Sequence, residues 1–425
     1  MRRTRNQGLR NPFSDAAPRP TSDIDVSVPT HFRCPILLDL MKDPVTLSTG
    51  ITYDRHSIET WLDSGSTPTC PVTNLPLDSL DLIPNHTIRR MIQDWCVKNR
   101  SLGIERIPTP RVPVTGTDAS ELLARASEAA ARGDREQCRD LAEKVRALAK
   151  ESERNRRCFV ARGAGPSLAR AFAACADEAV LSALALMLPL DESARAEIKN
   201  PSSMKRLAWM ARHGDLSGRL NAVRVIKDVV SSDKASAASA AGIEGLAEAL
   251  VEIIREPISP QTTKASLITV FFLAASNEAA VLKFVRLGVV GAVLEALGEA
   301  ERGVCEKSLA VLDGLAETEA GRRAFYEHEL AVPALVKKML RVSDAATEYA
   351  VSTLWKLCKG KREEEKYMVG ALQVGAFQKL LLLLQVGCGE TTKERASELL
   401  KMLNAYRGRE ECIDSMDFKY LKRPF

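Results

Sequence analysis

The second part of the chain repeats itself, and that self-similarity restricts the fold more than any other feature. The segments NRRCFVARGAGPSLARAF, SARAEIKNPSSMKRLAWM, AVLKFVRLGVVGAVLEAL, GRRAFYEHELAVPALVKKM and KYMVGALQVGAFQKLLLLL share one form and close on an apolar helix. The residues that anchor this closing helix are Leu168, Leu207, Leu246, Val293, Leu335 and Leu380, at spacings of 39, 39, 47, 42 and 45 residues. A helical hairpin or triplet of that size cannot bury its own apolar face. Stacked neighbours share one core and present an extended surface, which is a binding platform by geometry. Aromatic residues are only 5% of the chain, while Ala and Leu dominate much of its second half. This balance favours stacked helices over a β sandwich.

A period of about 40–47 residues is that of armadillo or HEAT arrays. The array is expected to hold about five or six repeats over residues 117–410. Two strongly charged helices within 118–150 are read as the cap of its N-terminal end. A free coiled-coil segment is the alternative, and the Gly133-Asp134 break stops its heptads early.

Charge excludes little but orders the options. Sixty basic against fifty-five acidic residues give +5 over 425 residues, too weak a bias to expect nucleic acid or an anionic membrane as partner. Arg2, Arg3, Arg5 and Arg10 are concentrated at the start, read as a solvated tail with a nuclear or organelle address as the sharper alternative. No apolar run approaches the ~18–20 residues of a membrane span. Ser182 and Pro189 interrupt Val180–Leu190, where Val180, Leu184, Met187 and Leu188 fit one helix face. The N-terminus lacks the apolar core of a secretory signal. The expectation is a soluble intracellular protein, cytoplasmic, with the nucleus as a second compartment. Its ten cysteines (34, 70, 96, 138, 158, 175, 305, 358, 388 and 412) never fall within four residues of one another. That excludes a local Cys-x2-Cys metal or redox motif and suits small buried hydrophobes in a reducing compartment.

Residues 25–101 differ from the array in having many prolines, β-branched residues and two Trp. Asp43–Leu47 reads as a strand, Ser48-Thr49-Gly50 as a turn and Ile51–Tyr53 as a second strand. Asp54 is placed as the N-cap of a helix carrying Ile58, Trp61 and Leu62. A polar loop with Pro68, Cys70 and Pro71 follows. Asn85 caps a second helix carrying Ile88, Met91, Ile92 and Trp95. The remaining segments are a disordered tail at 1–24, a proline-containing linker at 102–116 and a C-terminal tail at 411–425.

The run FRCPILLDLMKDPVTLSTGITYDRHSIETWL, then CPVTNLPL, then LIPNHTIRRMIQDWC, resembles a U-box over about 70 residues. With the helical repeats behind it, the chain is similar to the plant U-box/armadillo-repeat ubiquitin ligases over most of its length. The fold this implies is mainly α: a small α+β, RING-like, zinc-free U-box followed by an all-α armadillo-like superhelix.

A RING finger needs paired Cys-x2-Cys ligands. Here Cys34 is followed three residues later by Leu37, and Cys70 by Thr73. With His56 as the one further ligand close in register, two tetrahedral sites cannot be assembled. No metal and no cofactor are expected. Hydrogen bonds and packing must hold the loops, with Asp39, Asp43, Asp54, Arg55, Ser57, Thr73 and Asn85 as candidates.

The resemblance implies a ligase with no catalytic side chain and no covalent ubiquitin intermediate. It binds a ubiquitin-conjugating enzyme whose own cysteine carries ubiquitin as a thioester. The array holds a protein substrate whose lysine attacks, and tethering supplies the acceleration. By family position the conjugating-enzyme groove is lined by Ile36, Leu38 and Pro71, with Trp61 nearby. For each of the four the alternative is a purely core role. Many relatives carry Arg or Lys three residues after the second-loop proline, where this chain has Asn74. Asn keeps a donor and an acceptor but no charge, so weaker activation per encounter is expected.

Other features read blandly. Cys34, Cys70 and Cys96 lack the setting of a ubiquitin-accepting nucleophile. Trp209 is followed at +4 by His213 and Trp355 by Lys359, so the Trp-x3-Asn ladder of nuclear-import armadillo proteins is absent. Both Trp are placed in the core or lining a groove. The charge run from Lys361 to Lys366 is read as a solvated loop. The rival functional reading is a non-enzymatic armadillo scaffold with an inactive or dimerising U-box, and a homodimer stays open. Plant stress and defence signalling is the context the resemblance implies.

Overall fold

The computed structural model describes residues 28–64, 69–107, 113–298, 300–359 and 364–406, and the chain divides into two compact units between residues 112 and 113. Among the described residues there are 22 α-helices, and no single one is long and apolar enough to cross a membrane.

The first unit holds β1 (Pro44–Thr46), β2 (Thr52–Asp54), α1 (Arg55–Ser64), β3 (Ile83–Pro84) and α2 (His86–Lys98). The sheet order is β2-β1-β3, all antiparallel, with Val45 opposite both Tyr53 and Pro84. β3 has two residues and escaped the sequence reading. Gly50 takes the left-handed conformation that closes the β1–β2 turn, its N–H donating to the Leu47 carbonyl at 2.9 Å. The core comprises Phe32, Met41, Val45, Leu47, Tyr53, Ile58, Ile92 and the cysteines 34, 70 and 96. Ile107 is buried in it and Ile104 packs on it, so residues beyond 101 fold with this unit. On α2, Ile92 is buried and Ile88 and Trp95 are half-buried, while Met91 turns outward.

So small a core leaves much of the work to polar groups. The Asp43 carboxylate, one residue before β1, receives Arg55 Nε at 2.7 Å and a second bond from Arg89 Nη2, joining the start of β1 to both helices. Asn85 caps α2 by accepting from the Ile88 N–H at 3.0 Å, and its Nδ2 donates to the hydroxyls of Thr46 and Thr52. Asp54 does not cap α1. Its Oδ1 instead accepts from the Lys42 and Asp43 amides at 2.7 and 2.8 Å. Ser57 is buried without a hydrogen-bond partner.

The second unit begins with α3 (Gly116–Arg132), opened by a Thr115–Asp118 capping box and closed by left-handed Gly133. Six three-helix layers follow. They are α4 (Arg135–Glu151), α5 (Glu153–Ala161) and α6 (Ala164–Cys175), then α7 (Glu178–Leu186), α8 (Glu192–Ile198) and α9 (Pro201–His213). Next come α10 (Leu216–Val230), α11 (Lys234–Ala241) and α12 (Leu246–Arg255), then α13 (Pro260–Ser276), α14 (Glu278–Arg286) and α15 (Val289–Leu297). The last two layers are α16 (Arg302–Leu315), α17 (Glu319–Tyr326) and α18 (Ala331–Lys338), and α19 (Asp344–Cys358), α20 (Glu364–Gln373) and α21 (Ala376–Val386). α22 (Glu390–Tyr406) packs on α19 as the first helix of a seventh layer. First helices stack in an unbroken series from α4 to α22. The N-terminal flank is thus α3, packed on α6, whereas α4 heads the first layer.

Each junction has its own chemistry. Most first and second helices start at Asp, Ser, Thr or Asn caps, such as Asp177, Asp191, Asn277 and Thr318. Four third helices start instead after a left-handed glycine: Gly163, Gly245, Gly288 and Gly375. All six sequence anchors lie on third helices and are buried. Leu168, Val293, Leu335 and Leu380 stand five positions after the helix cap, but Leu246 stands one after it. Its true counterpart is the equally buried Leu250, and the spacings 39 and 47 become 43 and 43. Cations of a following layer close three third helices: Arg206 on the Ala173 carbonyl, Lys338 on Gly298 and Lys379 on Val336.

Lys356 is almost wholly enclosed and pairs with Asp313 and Glu317, both at 2.7 Å. Trp355 is half-buried, its Nε1 donating to Glu398 at 2.7 Å under Lys359. Trp209 is not core: on α9 it is 60% exposed and stacks on His213. Residues 361–363 of the charge run lie outside the described residues. Glu364 opens α20, and Lys366 lies 3.9 Å from the Tyr326 ring centroid and donates to the Tyr326 carbonyl.

Asp43→Ala removes the shared carboxylate of two partly buried guanidinium groups, leaving Arg55 only its longer contact with Glu59. The first unit should lose about 2–4 kcal/mol, read as a lower urea midpoint in pulse proteolysis of α2. An unchanged midpoint would make these ion pairs incidental.

Candidate functional site

Two loops of the first unit are built to one plan. Each begins with Cys-Pro. In loop one the Cys34 N–H donates to the Asp39 carbonyl and the Leu38 N–H to the Cys34 carbonyl, both at 2.8 Å. In loop two the Cys70 N–H donates to Leu75 at 2.9 Å and the Asn74 N–H to Cys70 at 2.8 Å. A single antiparallel bridge seals each base, Arg33 with Leu40 and Thr69 with Pro76. The fifth residue of each loop is left-handed: Leu38 has φ 58° and Asn74 φ 57°. Asn tolerates this conformation through its short polar side chain, whereas in Leu it costs about 1–2 kcal/mol. The loop hydrogen bonds must hold Leu38 there.

Neighbouring residues of β2 anchor the two loops. The Asp54 amide donates to Cys34 Sγ at 3.3 Å. Tyr53 Oη lies 3.1 Å from Cys70 Sγ and accepts the Val72 N–H at 3.3 Å, so its hydrogen is directed to the sulfur. Thr49 Oγ1 also donates to Cys70 Sγ, at 3.4 Å. Burial alone would raise the Cys70 pKa, but the hydroxyls of Thr49, Thr73 and Tyr53 outweigh it and lower the thiol to about 6. Burial and the Cys70 sulfur push the Tyr53 phenol far up, so it stays a neutral donor. Each cysteine thus serves as the acceptor around which a loop folds. Asp39 and Thr73 act within their own loops, accepting from the Leu40 and Leu75 amides.

This scaffold leaves apolar side chains outside. Leu38 is 70% exposed and Trp61 41%, while Ile36 and Pro71 are half-buried and Asn74 is exposed. Leu38 and Trp61 are therefore not simply core. The Trp61 indole donates to the Thr69 carbonyl at 3.1 Å, which fixes it to the base of loop two. Leu37, Val72 and Leu75 extend the exposed surface and were missed by sequence reasoning. The mirrored Cys-Pro openings carry part of the signal, since the fourth to sixth residues are exposed in both loops. Cys34, Cys70 and Cys96 are fully enclosed free thiols. Among the described residues no group of three or more His, Cys, Asp or Glu could hold a metal ion. Chemically, the arrangement offers an apolar rim, and the three described cysteines of this unit are all buried beneath it.

Comparison with known proteins places both units. Residues 28–101 match the U-box domain and residues 118–423 the plant U-box protein ARM repeat region. U-box domain-containing protein 21 of Arabidopsis thaliana is 42% identical over 418 residues, covering 96% of this chain and 95% of that protein. E3 ubiquitin-protein ligase PUB23 of Arabidopsis thaliana is 35% identical, covering 89% and 93%. A solved engineered protein shares the fold at TM-score 0.54 and 16% identity, over 68% of each chain.

Tyr53→Phe should leave the Val72 amide without its partner and the Cys70 thiol without one of its hydroxyls. Amide exchange is expected to quicken across residues 70–75 by about tenfold, equivalent to ~1.4 kcal/mol, with residues 34–39 little changed. Equal acceleration of both loops would contradict separate anchoring.

Proposed function

The chain belongs to the plant U-box proteins with armadillo repeats, and from that premise we propose that it is a ubiquitin-protein ligase of the RING type. The observation that carries this reading is the apolar rim of the two pinned loops. Ile36, Leu38 and Pro71 would receive a loop of a ubiquitin-loaded conjugating enzyme, with Trp61 bracing the second loop. A substrate lysine then attacks the thioester carbonyl on the conjugating enzyme, and that enzyme's cysteine leaves as thiolate. No side chain of this chain forms a bond to ubiquitin. The enclosure of Cys34, Cys70 and Cys96 supports transfer without an intermediate here. The stack of third helices is proposed to hold the protein substrate, so that two tethered reactants replace a bimolecular encounter. The nine described cysteines are free thiols, which supports a reducing cytoplasmic or nuclear setting, and plant stress or defence signalling is the proposed context.

Asn74 favours a second reading. It occupies the position where a cation would bridge conjugating enzyme and ubiquitin, and its left-handed backbone suits Asn better than a long side chain. A scaffold with slow or absent transfer is therefore the rival.

The test is ubiquitin-chain formation with activating enzyme, a promiscuous conjugating enzyme and ubiquitin. Ile36→Ala should lower the rate by about tenfold or more, as expected for a contact worth ~1.4 kcal/mol or above. Ladders that persist at full rate would sink the groove assignment, and no ladders from the wild type with several conjugating enzymes would favour the scaffold. Asn74→Arg should speed discharge of the loaded conjugating enzyme severalfold, and an unchanged rate would contradict the role given to this position.

A further inference from the structure

The third helices sort their charges by layer. α6 and α9 carry Arg170, Lys205, Arg206 and Arg212 and no acid. α12 and α15 carry Glu248, Glu252 and Glu295 against Arg255 alone. α18 and α21 return to cations only, Lys337, Lys338 and Lys379, with Arg341 just beyond α18. Where the first block meets the second, opposite charges pair: Arg212 with Glu252 at 3.0 Å and Lys205 with Glu244 at 3.6 Å. The last block has no such relief. Lys337 and Arg341 are exposed, and among the described residues neither is paired with a carboxylate. Lys379 donates only to carbonyls at the end of α18, those of Val336 at 2.6 Å, Met339 at 3.3 Å and Lys337 at 3.4 Å. Burial, and then the Arg341 cation, hold its pKa below the ordinary lysine value. Aliphatic side chains stand beside these cations. Leu382 and Lys337 occupy the same place on consecutive third helices, two residues after the buried anchor, and Leu381 and Leu382 are both exposed. Leu340 follows the cap of α18 in the left-handed conformation, φ 61°, where glycine is usual, and is 37% exposed.

We propose that Lys337, Arg341 and Lys379, together with Leu340, Leu381 and Leu382, seat an acidic segment of the protein substrate in which carboxylates alternate with aliphatic side chains. The inference rests on the reading that the third helices hold a substrate, and charge complementarity names the occupant. Neighbouring cations without acids repel one another, and carboxylates relieve that repulsion, whereas a basic or neutral segment does not. The leucines receive the aliphatic side chains. The acids of α12 and α15 repel the same segment, which confines it to the last two layers.

Fluorescence anisotropy of the full chain tests this with a labelled peptide of repeated Asp-Leu-Glu. A peptide of repeated Asn-Leu-Gln should bind about tenfold more weakly or worse, and one of repeated Asp-Ser-Glu severalfold more weakly. Lys337→Glu and Arg341→Glu should each raise the Kd of the acidic peptide about tenfold, and Leu382→Ser severalfold. Lys205→Glu, in the second layer, should leave it unchanged. If a charge reversal fails to fold by circular dichroism, Arg341→Gln is read in the same way. Equal loss from Lys205→Glu, or equally tight binding of heparin, overturns the proposal in favour of a general polyanion surface. Self-association that Lys337→Glu disperses overturns it in favour of a second copy. Ubiquitin ladders from a chain that does not bind the peptide remove only this inference, and peptide binding without ladders removes only the ligase reading.

Discussion

No three-helix layer of the second unit has an interior of its own, and everything else there follows from that. A third helix in this chain is 8 to 13 residues long, and its buried stripe meets the helix of the next layer as much as its own neighbours. The core is therefore a line rather than a ball, and stability is a sum of contacts between neighbours. Polar groups are placed so that this sum stays favourable. The cations Arg206, Lys338 and Lys379 each close a helix of the preceding layer, and Lys356 crosses from α19 to two acids of the α16 layer. Such bonds tie adjacent layers together and reach no further.

The first unit solves the opposite problem. Its core is small, and two outward-facing loops must still be held in fixed positions. Asp43 joins the start of one strand to two helices, Asn85 joins a helix start to two strand hydroxyls, and two thiols gather the loops. A RING finger would use metal ions for this. Here directional hydrogen bonds at buried or half-buried positions do it, where little water competes for them. The same arrangement explains the exposed Leu38 and Val72. With the loop backbones pinned from beneath, apolar side chains have no inward place to go.

Much of this was legible in the sequence, for reasons of geometry. Third-helix anchors recur because each is buried in the same way, and caps such as Asn85 and Asp134 stand out because helix starts leave amides unpaired. Leu246 was mistaken for Leu250 because both are apolar and one helical turn apart, and a period alone cannot choose between them. Asp54 was taken for a cap because its residue type and position fit one. Its carboxylate turned to two backbone amides twelve and eleven positions earlier, a contact no local pattern contains. Leu37, Val72 and Leu75 went unnoticed because the two loops are closed turns that follow neither the strand nor the helix period by which exposure is normally read. Trp209 was placed in the core or lining a groove, and its exposure on α9 removes the first of these alternatives.

The pairing of Tyr53 with loop two and of Asp54 with loop one has a consequence for how such a chain can vary. One peptide unit separates the two anchors, so the offset between the loops is set by one strand step together with the reach of the Tyr53 side chain. Substitutions within either loop leave that offset intact. A single inserted or deleted residue in β2, or a one-position slip of β2 along β1, would hand each loop to the wrong anchor. The loop tips are thus free to diversify their side chains, while the length of a three-residue strand is not free to change at all.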